Sequence, residues 1–216
     1  MNELKKQTKK EIETRTKETI NNINTEDGLK KEMSYRKKSY KGSFELQRLK
    51  FINYLNKKKF EEIQKQNAFI DEVNKAENFK GDFVITIEWT KSRMWGLNPK
   101  AHTSEGFESR NIGGWGYCKL STATAEALNS DLRILKLLFK AKNKYLKNNP
   151  KTTKSTSDIN REILGYGSGY NMIPSFEGGV GVSSHERILK KLGLEMKNLS
   201  STKTTDVYLI KKRKVE

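Results

Sequence analysis

The sequence predicts an α+β protein, with long N-terminal helices followed by a compact domain that has a small, mostly antiparallel sheet and several helices. Three observations predict it. Up to about residue 77 the apolar residues are sparse and fall at helical spacing in a lysine-rich background. At Gly81 the composition changes, and Phe83, Ile85, Ile87 and Trp89 alternate with Val84, Thr86, Glu88 and Thr90. That is a strand with one strongly buried face. Beyond it, elements follow in the order β, α, α, α, β, α, β, which suits helices on a small sheet rather than a parallel α/β fold. With 34% apolar residues in 216, the whole chain is too polar for one core. A domain of ~130 residues plus an extended helical part fits better. The boundaries are 1–79 for the basic helical region and 80–216 for the α+β domain.

Leu4, Ile12, Ile20 and Ile23 form a thin apolar stripe on a first helix, which is expected to stop near Asp27-Gly28. A short helix over Leu29–Tyr40 precedes Gly42. Gly42 or Ser43 then starts a long helix to about Glu77, whose Phe60, Ile63, Ile70 and Val73 keep helical spacing. Such a helix needs something to pack on, either the C-terminal domain or a second copy, so a homodimer through 43–77 is one expectation.

After the strand 83–90, a glycine-bearing loop is expected from Ser92 to Tyr117. Ser121 or Thr122 can cap a short helix over TATAEALN, and Ser130 or Asp131 can cap a longer one ending at Asn148-Asn149-Pro150. Ser157 or Asp158 starts a brief helix that stops at Gly165. Ile173–Phe176 reads as a strand. Ser183 and Glu186 have capping-box spacing for a helix over His185–Leu192, with Gly193 at C′. Val207–Ile210 is the final strand.

The helix after Asp131 carries the sharpest functional signal. No Asp or Glu stands between Asp131 and Asp158. Arg133, Lys136, Lys140, Lys144 and Lys147 fall on one helical face, and Leu132, Leu135, Leu138, Phe139 and Tyr145 on another. Like charges at i,i+4 cost a helix a few tenths of a kcal/mol per pair. With no interspersed acid to offset that cost, an external polyanion is the expected compensation. The bland alternative is a solvated lysine face.

The whole chain agrees with this, at net charge +17 from 43 Lys+Arg against 26 Asp+Glu. Such a balance fits RNA or another nucleic acid, or a partner with an acidic face. No run is apolar enough to span a bilayer, and no secretory signal follows the start, so a cytoplasmic protein with no membrane partner is expected. One cysteine, Cys118, rules out an internal disulfide, and with two histidines a structural zinc site is not expected. No cofactor is called for.

Glycines gather at Gly113–Gly116, Gly165–Gly169 and Gly178–Gly181. Glycine-rich loops before helices can present N–H groups to phosphate, but no Walker pattern is present, and tight turns and close packing are the first reading of them. Trp95, Trp115, Tyr117, Tyr166 and Tyr170 accompany them, with Arg93, Arg110 and Lys119 nearby in sequence. Rings that stack bases beside cations that hold phosphates are what a single strand needs. The binding residues expected from sequence are therefore Arg133, Lys136, Lys140, Lys144, Lys147, Arg93, Arg110, Lys119, Trp115, Tyr117, Tyr166 and Tyr170. The 113–117 and 165–170 loops should lie together beside the basic helix.

Catalysis is not expected. A ribonuclease would have to pair His102 with His185 as acid and base, and Glu88 with Glu105, Glu108 or Glu177 would be the acids for Mg²⁺. Neither forms a recognisable motif. Cys118 reads as a small buried thiol. The tail Lys211–Lys214 resembles a nuclear import signal, but reads as an extension of the positive field.

The segments Ser92–Pro99, Gly113–Asn129, Gly178–Ser184 and Asp206–Ile210 resemble small uncharacterised proteins carried by phages, prophages and other mobile elements. The resemblance covers roughly 80–216 and brings no catalytic residues. It implies a counter-defence role of the anti-CRISPR kind, in which such a protein engages a CRISPR effector nuclease or its guide RNA. A phage DNA- or RNA-binding protein of replication or regulation, and a small ribonuclease, are the alternatives.

Overall fold

The computed structural model describes residues 2–89, 120–165, 172–178 and 180–213, and the backbone of 100–103. The protein is α+β. The chain divides into two compact units, Met1–Asp71 and Glu72–Glu216, and the division falls inside a helix rather than at Gly81.

The first unit is helical. Helix α1 is Glu3–Asn22, α2 is Glu26–Tyr35 and α3 is Phe44–Lys75. The Asn2 side chain caps α1 by accepting from the Leu4 amide, and Thr25 caps α2 by accepting from the Gly28 amide. Asp27-Gly28 thus does not stop the first helix. It lies in the first turn of α2, and a Cβ at Gly28 would sit 2.0 Å from the Asn22 carbonyl oxygen. The glycine is there because α1 ends against it.

Three polar ties fix how α1 runs against α3. Lys5 meets Asp71 at 2.7 Å, Arg15 meets Glu62 at 2.6 Å, and Arg48 donates to the Ile23 carbonyl and the Asn24 side chain. The partners advance along α1 as they retreat along α3, so the two helices are antiparallel. Ile23 after α1, Leu29 and Met33 of α2, and Phe51 and Leu55 of α3 form a core cluster, with Ile20, Tyr40 and Phe44 around it. Within the first unit α3 packs on α1 and α2 of the same chain. Phe60, expected on the packed face, is 59% exposed, whereas Ile70 and Val73 are buried.

The second unit holds the sheet. Its strands are β1 Phe83–Glu88, β2 Lys100–Thr103, β3 Leu194–Ser201 and β4 Thr205–Lys212, in the order β2-β1-β4-β3 and antiparallel throughout. Phe83, Ile85 and Ile87 are buried as the alternation predicts, and Trp89 just beyond the strand with them. Their neighbours across β4 are Ile210, Tyr208 and Asp206. The Trp89 indole donates to Asp206 at 2.9 Å, and the Ser201 hydroxyl donates to the other carboxylate oxygen at 2.6 Å.

The helices of this unit are α4 Leu120–Ser130, α5 Leu132–Asn148, α6 Thr156–Leu164 and α7 Val182–Lys191. Asp131 caps α5, Ser155 caps α6, and Gly165 ends α6 in a left-handed conformation with φ 80°. The helix lying against β1 and β2 is α4; α5 packs on α4 and α6, and α7 packs on β3. The small residues of α4, Ala123, Ala125 and Ala127, are all buried, on a helix with neighbours in the sheet, α5 and α7.

Other expectations also give way. β2 and β3 were unforeseen. Ile173–Phe176 is not a strand, because the Asn129 side chain takes both backbone groups of Phe176. Helix α7 starts at Val182 after Gly181, with no side-chain cap, so Ser183 is inside it and no capping box forms.

Candidate nucleic-acid interface

The basic face of α5 is divided. Arg133 is turned to structure: it bonds Asp131, which is fully buried and also caps the helix, with Nη2 2.6 Å from Oδ2. Its guanidinium lies 5.5 Å from the Phe79 ring centre and 5.7 Å from that of Phe83, within cation–π range. Lys136 donates to the Ala76 carbonyl just past the end of α3, where helix carbonyls lack amide partners. Lys140 donates to the Asn78 side chain at 3.1 Å. Lys142, one more cation of this helix, is buried and donates to the Met172 carbonyl at 3.3 Å.

Lys144 and Lys147 are exposed, as is Lys151 in the turn after the helix. Lys144 and Lys147, with exposed Lys140, are the part of the predicted stripe that faces water, and Lys151 extends it beyond the helix. An acid also reaches this end from α6. Glu162 accepts from the Tyr145 hydroxyl at 2.6 Å and bonds Lys154. Lys154, then Tyr145, hold the Glu162 carboxyl below its ordinary pKa, and the bond to Glu162 raises the Tyr145 hydroxyl. Glu162 thus pairs with Lys154 and Tyr145 and with no lysine of the stripe among the bonds seen.

Arg93, Arg110, Lys119, Trp115, Tyr117, Tyr166 and Tyr170 lie outside the described residues, and so does the expected meeting of the 113–117 and 165–170 loops. Cys118 does too. Of the described glycines, Gly178 serves close packing: a Cβ there would come within 3.0 Å of the Thr122 side chain.

His185 is fully buried. Its Nε2 lies 3.0 Å from the Glu177 carbonyl and its ring stands edge-on to Phe176, 5.7 Å between centres. Burial lowers its pKa, so the imidazole is neutral and Nε2–H donates, leaving Nδ1 buried without a partner. Among the described residues no three of His, Cys, Asp and Glu gather as metal ligands, and no helix is long and apolar enough to cross a membrane. Lys211 of the basic tail pairs with Glu195 across β3 and β4 at 2.8 Å.

One feature of the first unit was not anticipated. A cleft of about 300 Å³ is lined by Arg15, Tyr35, Arg36, Lys58, Lys59 and Glu62. The sequence signal was present as the runs Arg36–Lys38 and Lys57–Lys59. They are nearly twenty residues apart, and only the fold of α2 against α3 joins them.

Compared with protein-family models, curated proteins and solved structures, the chain matches none.

Proposed function

We propose that this is a non-enzymatic polyanion-binding protein that engages nucleic acid, and that its target is the guide RNA or the nucleic-acid-handling surface of a CRISPR-type effector nuclease. The observation that carries the binding reading is the cluster Lys144, Lys147 and Lys151, exposed at one end of an amphipathic helix that has no acid of its own beyond its cap. Arg133, Lys136 and Lys142 of that helix are spent on part-buried internal contacts, and exposed Lys140 bonds the Asn78 side chain, so the unengaged part of the stripe is smaller than the sequence suggested. Net charge +17 supplies long-range attraction to a polyanion. The counter-defence target rests on the likeness of residues 80–216 to mobile-element proteins and on that charge. Burial of His185 speaks against a ribonuclease built on two histidines.

The test is a salt titration of RNA affinity for the wild type and for K144Q/K147Q/K151Q. Each lost phosphate contact should flatten the log–log slope by about 0.7 on a single strand. An unchanged slope means that these lysines only solvate the surface. Adding the protein to a guide-loaded effector nuclease tests the target: cleavage should be inhibited by the wild type and less by the variant. Undiminished cleavage, with RNA binding intact, would leave a general nucleic-acid-binding protein of replication or regulation.

A further inference from the structure

We propose that the cleft of the first unit binds a nucleotide, with the base stacked on Tyr35 and the phosphate held by Arg15, Lys58 and Lys59. This goes beyond the α5 surface and rests on different residues, so the two can fail separately.

Tyr35 ends α2 and is 81% exposed. A ring so far out in water contributes little to the fold, yet it stands at the edge of a concave site. The Arg36 guanidinium lies 5.9 Å from its centre. An aromatic face beside cations is the arrangement on which single-stranded nucleic acids are held, because every base has a stacking face and every nucleotide a phosphate.

The cations have partners, but weak ones. Arg15 meets Glu62 at 2.6 Å with the two side chains 55% and 37% exposed, and Lys58 meets Glu61 at 2.7 Å with 57% and 44%. Ion pairs this exposed add little stability, and a phosphate can replace the carboxylates without disturbing the core. Leu55 supplies a buried apolar wall. The volume is at the small end for ligand sites, which suits one nucleotide.

The cleft also implies tolerance of base identity. Thr16 and Thr19 line it, but their hydroxyls donate to the carbonyls of Ile12 and Arg15 in their own helix. Those protons are not available to a base edge. Recognition is left to the ring and the charges, so phosphate and stacking matter more than sequence.

The experiment uses the full chain, a short fluorescein-labelled oligo(U) strand and an abasic strand of equal length. Tyr35→Ala should weaken oligo(U) binding roughly five- to a hundred-fold, the range for one lost base stack, with unchanged melting. It should leave binding of the abasic strand at the wild-type level, and Tyr35→Phe should restore oligo(U) binding. K58Q/K59Q should weaken both strands. Competition by free UMP shows whether the site takes mononucleotides or only nucleotides within a strand; both outcomes support the site. Wild type that binds the abasic strand as well as oligo(U), or a Tyr35→Ala variant with undiminished affinity, overturns it. Repeating Tyr35→Ala in the K144Q/K147Q/K151Q background separates the two proposals, since the Tyr35 effect should persist there.

Discussion

Asn129 holds Phe176 by both of its backbone groups. The side-chain amide donates to the Phe176 carbonyl at 2.7 Å and accepts from the Phe176 amide at 2.7 Å, across 47 residues of chain. A helix side chain stands where a neighbouring strand would otherwise pair. It anchors the segment that carries Phe176 and Glu177, the two contacts of buried His185.

Asn129→Ala should therefore cost about 2–4 kcal/mol, since two part-buried backbone groups lose their partner. Asn129→Asp should cost at least as much, because a carboxylate oxygen would then face the Phe176 carbonyl. Urea denaturation of the three proteins decides it. Wild-type melting of the alanine variant would mean that the clamp holds nothing.

Arg133 and the pair Lys144 and Lys147 should separate cleanly, although all three belong to one sequence stripe. Arg133→Gln leaves the fully buried Asp131 without its cation and should destabilise by about 3 kcal/mol. K144Q/K147Q should change stability by no more than about 0.5 kcal/mol. Thermal melts on the two variants provide the comparison. An Arg133→Gln variant as stable as wild type would show that the guanidinium is not needed where it lies.

Ile87→Ala should cost ~2–5 kcal/mol through transfer and cavity terms, because Ile87 is fully buried on the inner face of β1. Thr86→Ala, on the opposite face and only half-buried, should cost less. Equal losses in chemical denaturation would mean that the sheet has no single buried face.

His185 predicts an acid-sensitive fold. Its folded pKa lies below the ordinary value of 6.5 because burial disfavours the imidazolium. Below 6.5 the unfolded chain therefore binds a proton that the folded chain does not. Stability present above pH 6.5 is lost as pH falls from there towards the folded pKa, with a slope of at most about 1.4 kcal/mol per pH unit from this group. Denaturation curves at pH 7.5, 6.5 and 5.5 should show the loss for wild type and a smaller loss for His185→Gln. Identical pH dependence in the two would remove His185 as the cause.

The sequence by itself determined the elements with strong local signals. The alternation over Phe83–Trp89, the helical spacing from Leu132 to Leu146, the cap at Asp131 and the stop at Gly165 are properties of neighbouring residues, and local sterics and hydrogen bonding decide them. β3 escaped because an edge strand buries little: of Leu194–Ser201 only Leu194 and Met196 are buried, so the segment reads as polar loop. Ile173–Phe176 misled in the opposite sense, since its β-like composition is satisfied by a distant amide. The destinations of the charges were decided only in three dimensions. Arg133, Lys136, Lys140 and Lys142 found an acid, two carbonyls and an amide, and three of those four partners lie far away in sequence. Likewise Arg36 and Lys58 share a cleft only because α2 and α3 fold together. Periodicity shows which face of a helix is charged, but a long cationic side chain takes whatever acceptor the packed chain brings within reach.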